Sequence, residues 1–130
     1  RRLELSVILI TQDLSVIAAT CERVAIMYAG AIVELGSVMD IYKDPWHPYT
    51  NALITAFPSL AGPKRRFSSV PGDPPALTSP PSGCRFHPRC LWQDETCRNQ
   101  NPEYRNVGAG HYVACHHCEK FREKLLGEKV

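Results

Sequence analysis

The chain has 130 residues, 44% of them apolar, which is enough for one small domain or for part of a larger one. With 15 basic and 13 acidic residues its net charge is +2, and this balance predicts neither a nucleic acid nor a membrane surface as a partner. No apolar run approaches the ~20 residues that span a bilayer, and the N-terminus has no features of a secretory signal.

The first predicted element is a strand over residues 6–10, because this unbroken β-branched apolar run is typical of a strand buried on both faces of a parallel sheet. Apolar residues at helical spacing follow from Leu14, and Asp13 is placed to cap that helix. These elements predict one half of a βαβ unit. The chain starts on Arg1 and enters a strand pattern almost at once, so we expect a piece cut from a longer protein.

Two short apolar stretches, 23–27 and 31–35, lie on either side of a tight turn that Gly30 permits, and they predict a β-hairpin. A helix is expected next. Ser37 and Asp40 have the spacing of a capping box, in which each side chain satisfies a backbone donor at the start of the helix.

A further helix is expected over residues 49–57, with Pro48 at a favourable first position. Residues 58–83 are rich in proline and glycine and predict an extended, semi-rigid linker. A short polar helix is expected over 119–126. Between the linker and this helix there are few long apolar runs, so the segment needs something other than a large core to order it.

Five of the six cysteines lie in this coreless segment. Four thiolates brought together can hold either a zinc ion or an iron–sulfur cluster. Zinc sites usually pair cysteines two to four residues apart, a spacing found only once here, whereas wider gaps suit a cluster. Ordinary reduced thiols are the third alternative, and disulfides are disfavoured without an export signal. The candidate ligands are Cys84, Cys90, Cys97, Cys115 and Cys118.

No recognised catalytic motif is present in the chain. It has no nucleophile elbow, paired-carboxylate or metalloprotease pattern, and no phosphate-binding G-x-x-x-x-G-K-[ST] loop. The five histidines form no metal-binding triad at a familiar spacing, so each is expected to be a surface or hydrogen-bonding residue. These are His47, His87, His111, His116 and His117.

Several longer motifs, in their order, resemble a known family. Residues 6–18 (Ser-Val-Ile-Leu-Ile-Thr-Gln-Asp-Leu-Ser-Val-Ile-Ala) and 23–36 resemble the end of an ABC-transporter nucleotide-binding domain. Residues 44–50 (Asp-Pro-Trp-His-Pro-Tyr-Thr), 70–77 and 81–90 (Pro-Ser-Gly-Cys-Arg-Phe-His-Pro-Arg-Cys) resemble the oligopeptide/dipeptide importer branch of that family. His-Tyr-Val-Ala-Cys-His near the C-terminus completes the resemblance.

The resemblance implies an α/β fold. Residues 1–57 would be a C-terminal remnant of the ATPase domain, 58–83 a linker, and 84–130 a small cysteine-rich extension. The implied function is peptide uptake driven by ATP and Mg²⁺ at the cytoplasmic face of the membrane, with a second ATP-binding subunit and transmembrane permease subunits as partners. The family's Walker A, signature and Walker B motifs precede the matched region, so the chain alone is not expected to be catalytic.

The resemblance also implies two sites. The family has a histidine that contacts the terminal phosphate at the position of Gln12, which offers only a neutral hydrogen bond, so we expect impaired hydrolysis. The family's 4Fe–4S ligand positions match Cys84, Cys90, Cys97 and Cys115, with Cys118 as an extra cysteine. The alternatives are a structural zinc-binding domain and a non-catalytic regulatory or interaction module.

Overall fold

The computed structural model describes residues 5–56 and 70–127. None of the helices in these two ranges is long and apolar enough to cross a bilayer. In chain order the elements are α1 (Leu14–Thr20), β1 (Arg23–Tyr28), β2 (Ala31–Ser37), α2 (Val38–Lys43), α3 (Pro48–Ala56), a 3₁₀ turn (His87–Arg89), α4 (Glu95–Asn99), β3 (Tyr104–Gly108), β4 (His111–Ala114) and α5 (Cys118–Gly127).

The strands form one antiparallel sheet in the order β1-β2-β4-β3. The predicted hairpin is confirmed as β1 and β2, with a bulge after Ile26. Positive φ angles at Ala29 and Gly30 close its two-residue turn. β2 then pairs with β4 through Glu34 opposite Val113. The mixture of helix and strand agrees with the expected α/β class, and the sheet connects the start of the chain to its cysteine-rich end.

One face of the hairpin carries the apolar core. The alternating side chains of β1 place Val24, Ile26 and Tyr28 on the buried face. Phe86, from the cysteine-rich part of the chain, enters the same core, with its ring centroid 5.1 Å from that of Tyr28. Burying a side chain of this size stabilises the fold by about 1.5–3 kcal/mol, so one aromatic residue contributes substantially to joining the two parts of the chain.

The caps predicted for the first two helices are confirmed. Asp13 accepts hydrogen bonds from the backbone N–H groups of Ser15 and Val16, at 2.8 and 3.3 Å. Ser37 accepts from the backbone N–H of Asp40 at 3.1 Å. The reverse half of this capping box differs from expectation, since the Asp40 carboxylate accepts from the Ser37 hydroxyl at 2.6 Å and not from its backbone.

The strand predicted over residues 6–10 is wrong. Residues 5–10 have no regular secondary structure, and Val7, Ile8 and Ile10 are 79%, 92% and 94% exposed. An apolar strand of this kind needs neighbouring strands to satisfy its backbone and helices to cover its faces. The described residues provide neither beside this segment, so α1 follows without the strand of the predicted βαβ half.

The remaining elements agree with the predictions in part. The helix predicted from residue 49 is α3, and its predicted end at residue 57 lies outside the described residues, as do residues 58–69 of the predicted linker. Residues 70–83 contain neither helix nor strand, and the C-terminal helix is confirmed as α5. The 3₁₀ turn, α4 and the β3–β4 hairpin were not predicted.

Candidate metal centre

The cysteine-rich segment folds back on itself around a contact between two cysteines. The backbone N–H of Cys84 donates to the carbonyl oxygen of Cys97 at 2.8 Å, which joins the turn after Gly83 to helix α4. Gly83 has a φ of +63°, and a Cβ there would lie 2.4 Å from the Cys97 carbonyl oxygen. Only glycine permits both this φ and this approach, so Gly83 sets how closely the two cysteines lie.

Several of the cysteine thiols interact electrostatically in pairs. Burial raises the pKa of the Cys90 thiol to about 11, and charge on Cys84 or Cys97 raises it further. The pKa of Cys115 is raised higher still, first by burial and then by charge on Cys118, Cys90 and Cys84. The resemblance implies Cys84, Cys90, Cys97 and Cys115 as ligands, and these interactions link Cys90 to Cys84 and Cys97, and Cys115 to Cys84, Cys90 and Cys118.

The donor set fits a buried cationic centre. All six cysteines are free thiols. Burial and mutual repulsion oppose ionisation of these sulfurs, and a bound metal reverses that balance because it lowers the pKa of a coordinating thiol. Cys84 and Cys90 also pack against the apolar core, and the backbone N–H of Trp92 donates to the Cys90 sulfur at 3.4 Å. Such surroundings orient the sulfur atoms and limit access of solvent.

A second group of side chains that could hold a metal ion shares Cys97 with the predicted cysteine ligands. One ligand atom from each of Asp94, Cys97 and His117 lies within 4.8 Å of the other two. The Asp94 Oδ2 atom is 3.0 Å from His117 Nε2, but the contact lacks the geometry of a hydrogen bond, so Asp94 is an ion-pair partner and not a hydrogen-bond partner of that buried nitrogen. A backbone hydrogen bond from Cys97 is the main reason that the pKa of Asp94 falls to about 2.

This second group was not predicted from the sequence. His117 was predicted to be an ordinary surface or hydrogen-bonding histidine, whereas its imidazole nitrogen is buried beside a carboxylate and a thiol. The available signal was the i, i+3 spacing of Asp94 and Cys97 across the first turn of a short helix.

A buried carboxylate fixes the region that leads to the cysteines. Glu34 on β2 is fully buried and accepts from the backbone N–H groups of Trp46 and His47, at 2.7 and 3.1 Å. It also pairs with Nε2 of His111 on β4 at 2.7 Å. Two of the motifs that carried the family resemblance therefore meet at this one side chain.

His47 and His111 are more buried than predicted, at 1% and 6% exposed. The His47 Nδ1 atom accepts from the backbone N–H of Tyr49 at 3.0 Å at the start of α3. Burial lowers the pKa of His47 to about 3. Both histidines therefore hold elements of the fold together, His47 at the start of α3 and His111 through its contact with Glu34.

Comparison with known proteins resolves the family. The model of the oligopeptide/dipeptide transporter C-terminal region matches residues 33–97, half of the chain, and includes Glu34 and three of the four predicted cysteine ligands. The chain belongs to this family. The match confirms the resemblance seen in the sequence, and Cys115 lies beyond the matched residues.

Relatives of this family member are ATP-binding proteins of peptide transporters. The dipeptide transport ATP-binding protein DppD of Caldanaerobacter subterraneus subsp. tengcongensis is 39% identical over 122 residues, 94% of this chain and 37% of the relative. The oligopeptide transport ATP-binding protein OppF of Haemophilus influenzae is 41% identical over 119 residues, 88% of this chain and 36% of the relative. The chain therefore spans about a third of the length of these relatives.

The predicted nucleotide-contact residue, Gln12, lies before the residues that the family model matches. Gln12 occupies a bend before α1, and its side chain is exposed. Its neighbours Thr11 and Asp13 are joined by a hydrogen bond from the Asp13 N–H to the Thr11 hydroxyl at 3.0 Å. Among the described residues, no hydrogen bond or ion pair joins Gln12 to a cysteine.

Proposed function

We propose that this chain is the C-terminal part of the ATP-binding subunit of a peptide importer, in which ATP hydrolysis drives peptide uptake. The observation that carries the proposal is the family match, together with relatives named as dipeptide and oligopeptide transport ATP-binding proteins. ATP and Mg²⁺ bind to the complete subunit, and the chain alone is not catalytic. The partners are a second ATP-binding subunit and transmembrane permease subunits, at the cytoplasmic face of the membrane.

Within this role the chain divides by function. Residues 1–57 complete the ATPase domain, 84–130 form the cysteine-rich extension, and 58–83 link the two. The pairing of β2 with β4 supports a rigid connection between the ATPase part and the extension, because an antiparallel ladder holds its strands in a fixed register.

Gln12 limits hydrolysis in the complete subunit. Its exposed position before α1 allows its amide to reach a bound nucleotide, but an amide supplies no positive charge to the terminal phosphate. A charge-assisted hydrogen bond is roughly twice as strong as a neutral one.

The test is steady-state ATP hydrolysis by a complete subunit that contains this chain. We expect Gln12→His to raise the rate at least about tenfold, since one donor to the reacting phosphate is worth about 10²–10³ in rate in comparable sites. Gln12→Asn is the control, because it keeps a neutral amide and is expected to stay slow. A Gln12→His subunit no faster than its parent would show that other groups replace the missing charge.

The four cysteines hold a 4Fe–4S cluster, with a structural zinc ion as the alternative. The support is the match of these positions to the ligand positions that the resemblance implies, together with the pairwise interactions of Cys90 with Cys84 and Cys97 and of Cys115 with Cys84 and Cys90. When bound, the cluster supplies cross-links between the turn at 84–90, α4 and the end of β4. The chain's own residues place the ligands: Gly83 allows the close approach of Cys84 to Cys97, and Cys115 follows directly from strand β4.

This assignment is tested by iron, sulfide and zinc analysis with a visible spectrum, on protein purified without oxygen. About four irons and four sulfides per chain are expected, as for a 4Fe–4S centre. Cys90→Ser should lose them, whereas Cys21→Ser, a cysteine outside the group, should retain them. One zinc with no sulfide would replace the cluster by a structural zinc domain and leave the transporter proposal resting on the family match.

A further inference from the structure

We propose that Asp94, Cys97 and His117 form a second metal site, for a single Zn²⁺ ion, that shares its sulfur ligand with the four-cysteine centre. The proposal of this Zn²⁺ site does not require that the proposed cluster exists. Only its consequence rests on the proposed function: because Cys97 cannot serve both centres in full, the segment holds either the cluster or this zinc ion.

The spacing of the three ligand atoms is close to that of a zinc site. Tetrahedral zinc with bonds of about 2.0–2.3 Å places its ligand atoms roughly 3.5 Å apart. The three atoms here already lie within 4.8 Å of one another, and the carboxylate oxygen and the imidazole nitrogen are 3.0 Å apart. Side-chain movements on the order of 1 Å complete the geometry. One oxygen, one nitrogen and one sulfur suit zinc, which accepts all three.

The protein holds two of the ligands in place by bonds that leave the metal-facing atoms available. The Oδ1 atom of Asp94 accepts from the backbone N–H of Cys97 at 3.0 Å as the cap of α4, which leaves Oδ2 directed at His117. The carbonyl oxygen of His117 accepts from the backbone N–H of Phe121 at 2.9 Å and so fixes His117 at the start of α5. Such supporting hydrogen bonds are typical of metal ligands.

The buried nitrogen of His117, which has no well-formed hydrogen bond, is a further indication of a ligand. Buried polar atoms are nearly always hydrogen-bonded, and one that is not calls for a partner such as an ion. His117 Nε2 is buried, lies 3.0 Å from the Asp94 carboxylate without the geometry of a hydrogen bond, and is within 4.8 Å of the Cys97 sulfur. A zinc ion satisfies this nitrogen and compensates the charge of Asp94. The fourth position stays open to water, as in zinc sites with three protein ligands.

The experiment is zinc binding by the cluster-free chain, measured by competition with a chromogenic chelator. The wild-type chain is expected to bind one Zn²⁺. His117→Gln and Asp94→Asn should each weaken binding at least about tenfold, since even partners outside the ligand set change affinity by 10–100-fold. Asn keeps the cap oxygen of Asp94, so Asp94→Asn tests the ligand without removing the cap.

Two matched controls separate this site from the four-cysteine centre. His116→Gln changes the neighbouring histidine, whose ring contacts the carbonyl oxygen of Gln100 at 3.0 Å, and should bind zinc as the wild type does. Cys84→Ser removes a cluster ligand outside the triad and should also bind zinc unchanged. With Co²⁺ as a spectroscopic probe, the thiolate-to-metal band should have the intensity of one sulfur ligand, both in the wild type and in Cys84→Ser.

Three results would overturn the proposal: no zinc bound by the wild-type chain, unchanged binding by both His117→Gln and Asp94→Asn, or loss of zinc in Cys84→Ser with a cobalt band of several sulfurs. The circular dichroism spectrum of each variant shows whether it is folded. Should one ligand variant unfold, the other decides. Iron and sulfide content is measured separately, so failure of the zinc site and failure of the cluster are told apart.

Discussion

Two regions of this chain are ordered by different kinds of interaction. Residues 23–56 bury an aliphatic and aromatic core, to which β1 contributes alternate side chains. Residues 84–118 bury few apolar side chains. Their turns are fixed by hydrogen bonds, such as those from the Cys97 N–H to the Asp94 carboxylate and from the Cys84 N–H to the Cys97 carbonyl oxygen. In an apolar core each substitution removes part of the stability, whereas an arrangement of sulfurs and hydrogen bonds can be lost when a single group is replaced.

The two regions nevertheless share one structure. The Arg85 guanidinium donates to the carbonyl oxygen of Ala29 in the hairpin turn. Phe86 lies in the apolar core, and β4 pairs with β2. Each region also contains one tryptophan, Trp46 or Trp92, so single-tryptophan variants can report on each region separately.

The largest effect is expected at the junction between the regions. Glu34→Ala should lower the free energy of unfolding by about 3–5 kcal/mol, because it leaves buried donors, including His111, without an acceptor. Urea unfolding followed at Trp46 and at Trp92 should show both transitions shift together. Glu34→Gln, which keeps an acceptor oxygen, should cost less. A shift confined to one tryptophan would mean that the regions unfold independently.

A core substitution should affect stability without regard to metal. Ile41 is fully buried, so Ile41→Ala should cost about 3 kcal/mol through lost burial and the cavity that remains. The loss should be the same with and without a chelator. Met39→Ala, at an exposed position of the same helix, should change stability by less than about 0.5 kcal/mol. A chelator-dependent loss for Ile41→Ala would contradict the distinction between the two regions.

The pH dependence provides a smaller test in the apolar region. The pKa of His47 falls from 6.5 to about 3 on burial, so the unfolded chain binds a proton that the folded chain excludes. Its contribution to stability is therefore fully present above pH 6.5 and is lost as the pH falls toward 3. Between pH 6.5 and 5 the free energy of unfolding should fall by about 2 kcal/mol.

His47→Asn should remove this pH dependence, because asparagine can still accept from the Tyr49 N–H but does not titrate. The lowered pKa values of Asp13, Asp94 and Glu119 act only below this window. An equally steep curve for the variant would assign the dependence to another group.

The smallest expected effect is a gain in stability. The Thr50 hydroxyl is buried in α3 without a hydrogen-bond partner among the described residues. Thr50→Val should therefore raise the free energy of unfolding by about 1 kcal/mol, because it removes an unsatisfied polar group at constant shape. Thr55→Val is the control: its hydroxyl donates to the carbonyl oxygen of Asn51 at 2.8 Å, and its loss should not stabilise. A destabilised Thr50→Val would reveal a partner for the hydroxyl.

The elements predicted correctly are those whose signals are local. The Asp13 and Ser37 caps and the turn at Gly30 each act over a few residues, so the sequence contains the information that places them. The β3–β4 hairpin was missed because its strands are short and partly polar, although Gly108 and Gly110 mark its turn.

The other misses depend on contacts distant in sequence. The apolar run at 6–10 would form a strand only beside neighbouring strands. Glu34 lies in an apolar strand pattern, and nothing local reveals that its carboxylate will pair with His111. The grouping of Asp94 and Cys97 with His117 likewise arises from the return of the chain after β4. For the four cysteines, the family resemblance predicts a shared set of ligands, which their spacing alone left open.

The pairing of β2 with β4 has a consequence for synthesis of the protein. His111 is 77 residues further along the chain than Glu34. At ~5–20 residues per second, a ribosome produces it roughly 4–15 s later. During that interval the nascent hairpin presents an open strand edge and a carboxylate without its imidazole partner, the state in which strands pair with the wrong chain. A slow stretch of translation before β4 would prolong this exposure, so codon usage between the two strands bears on the yield of folded protein.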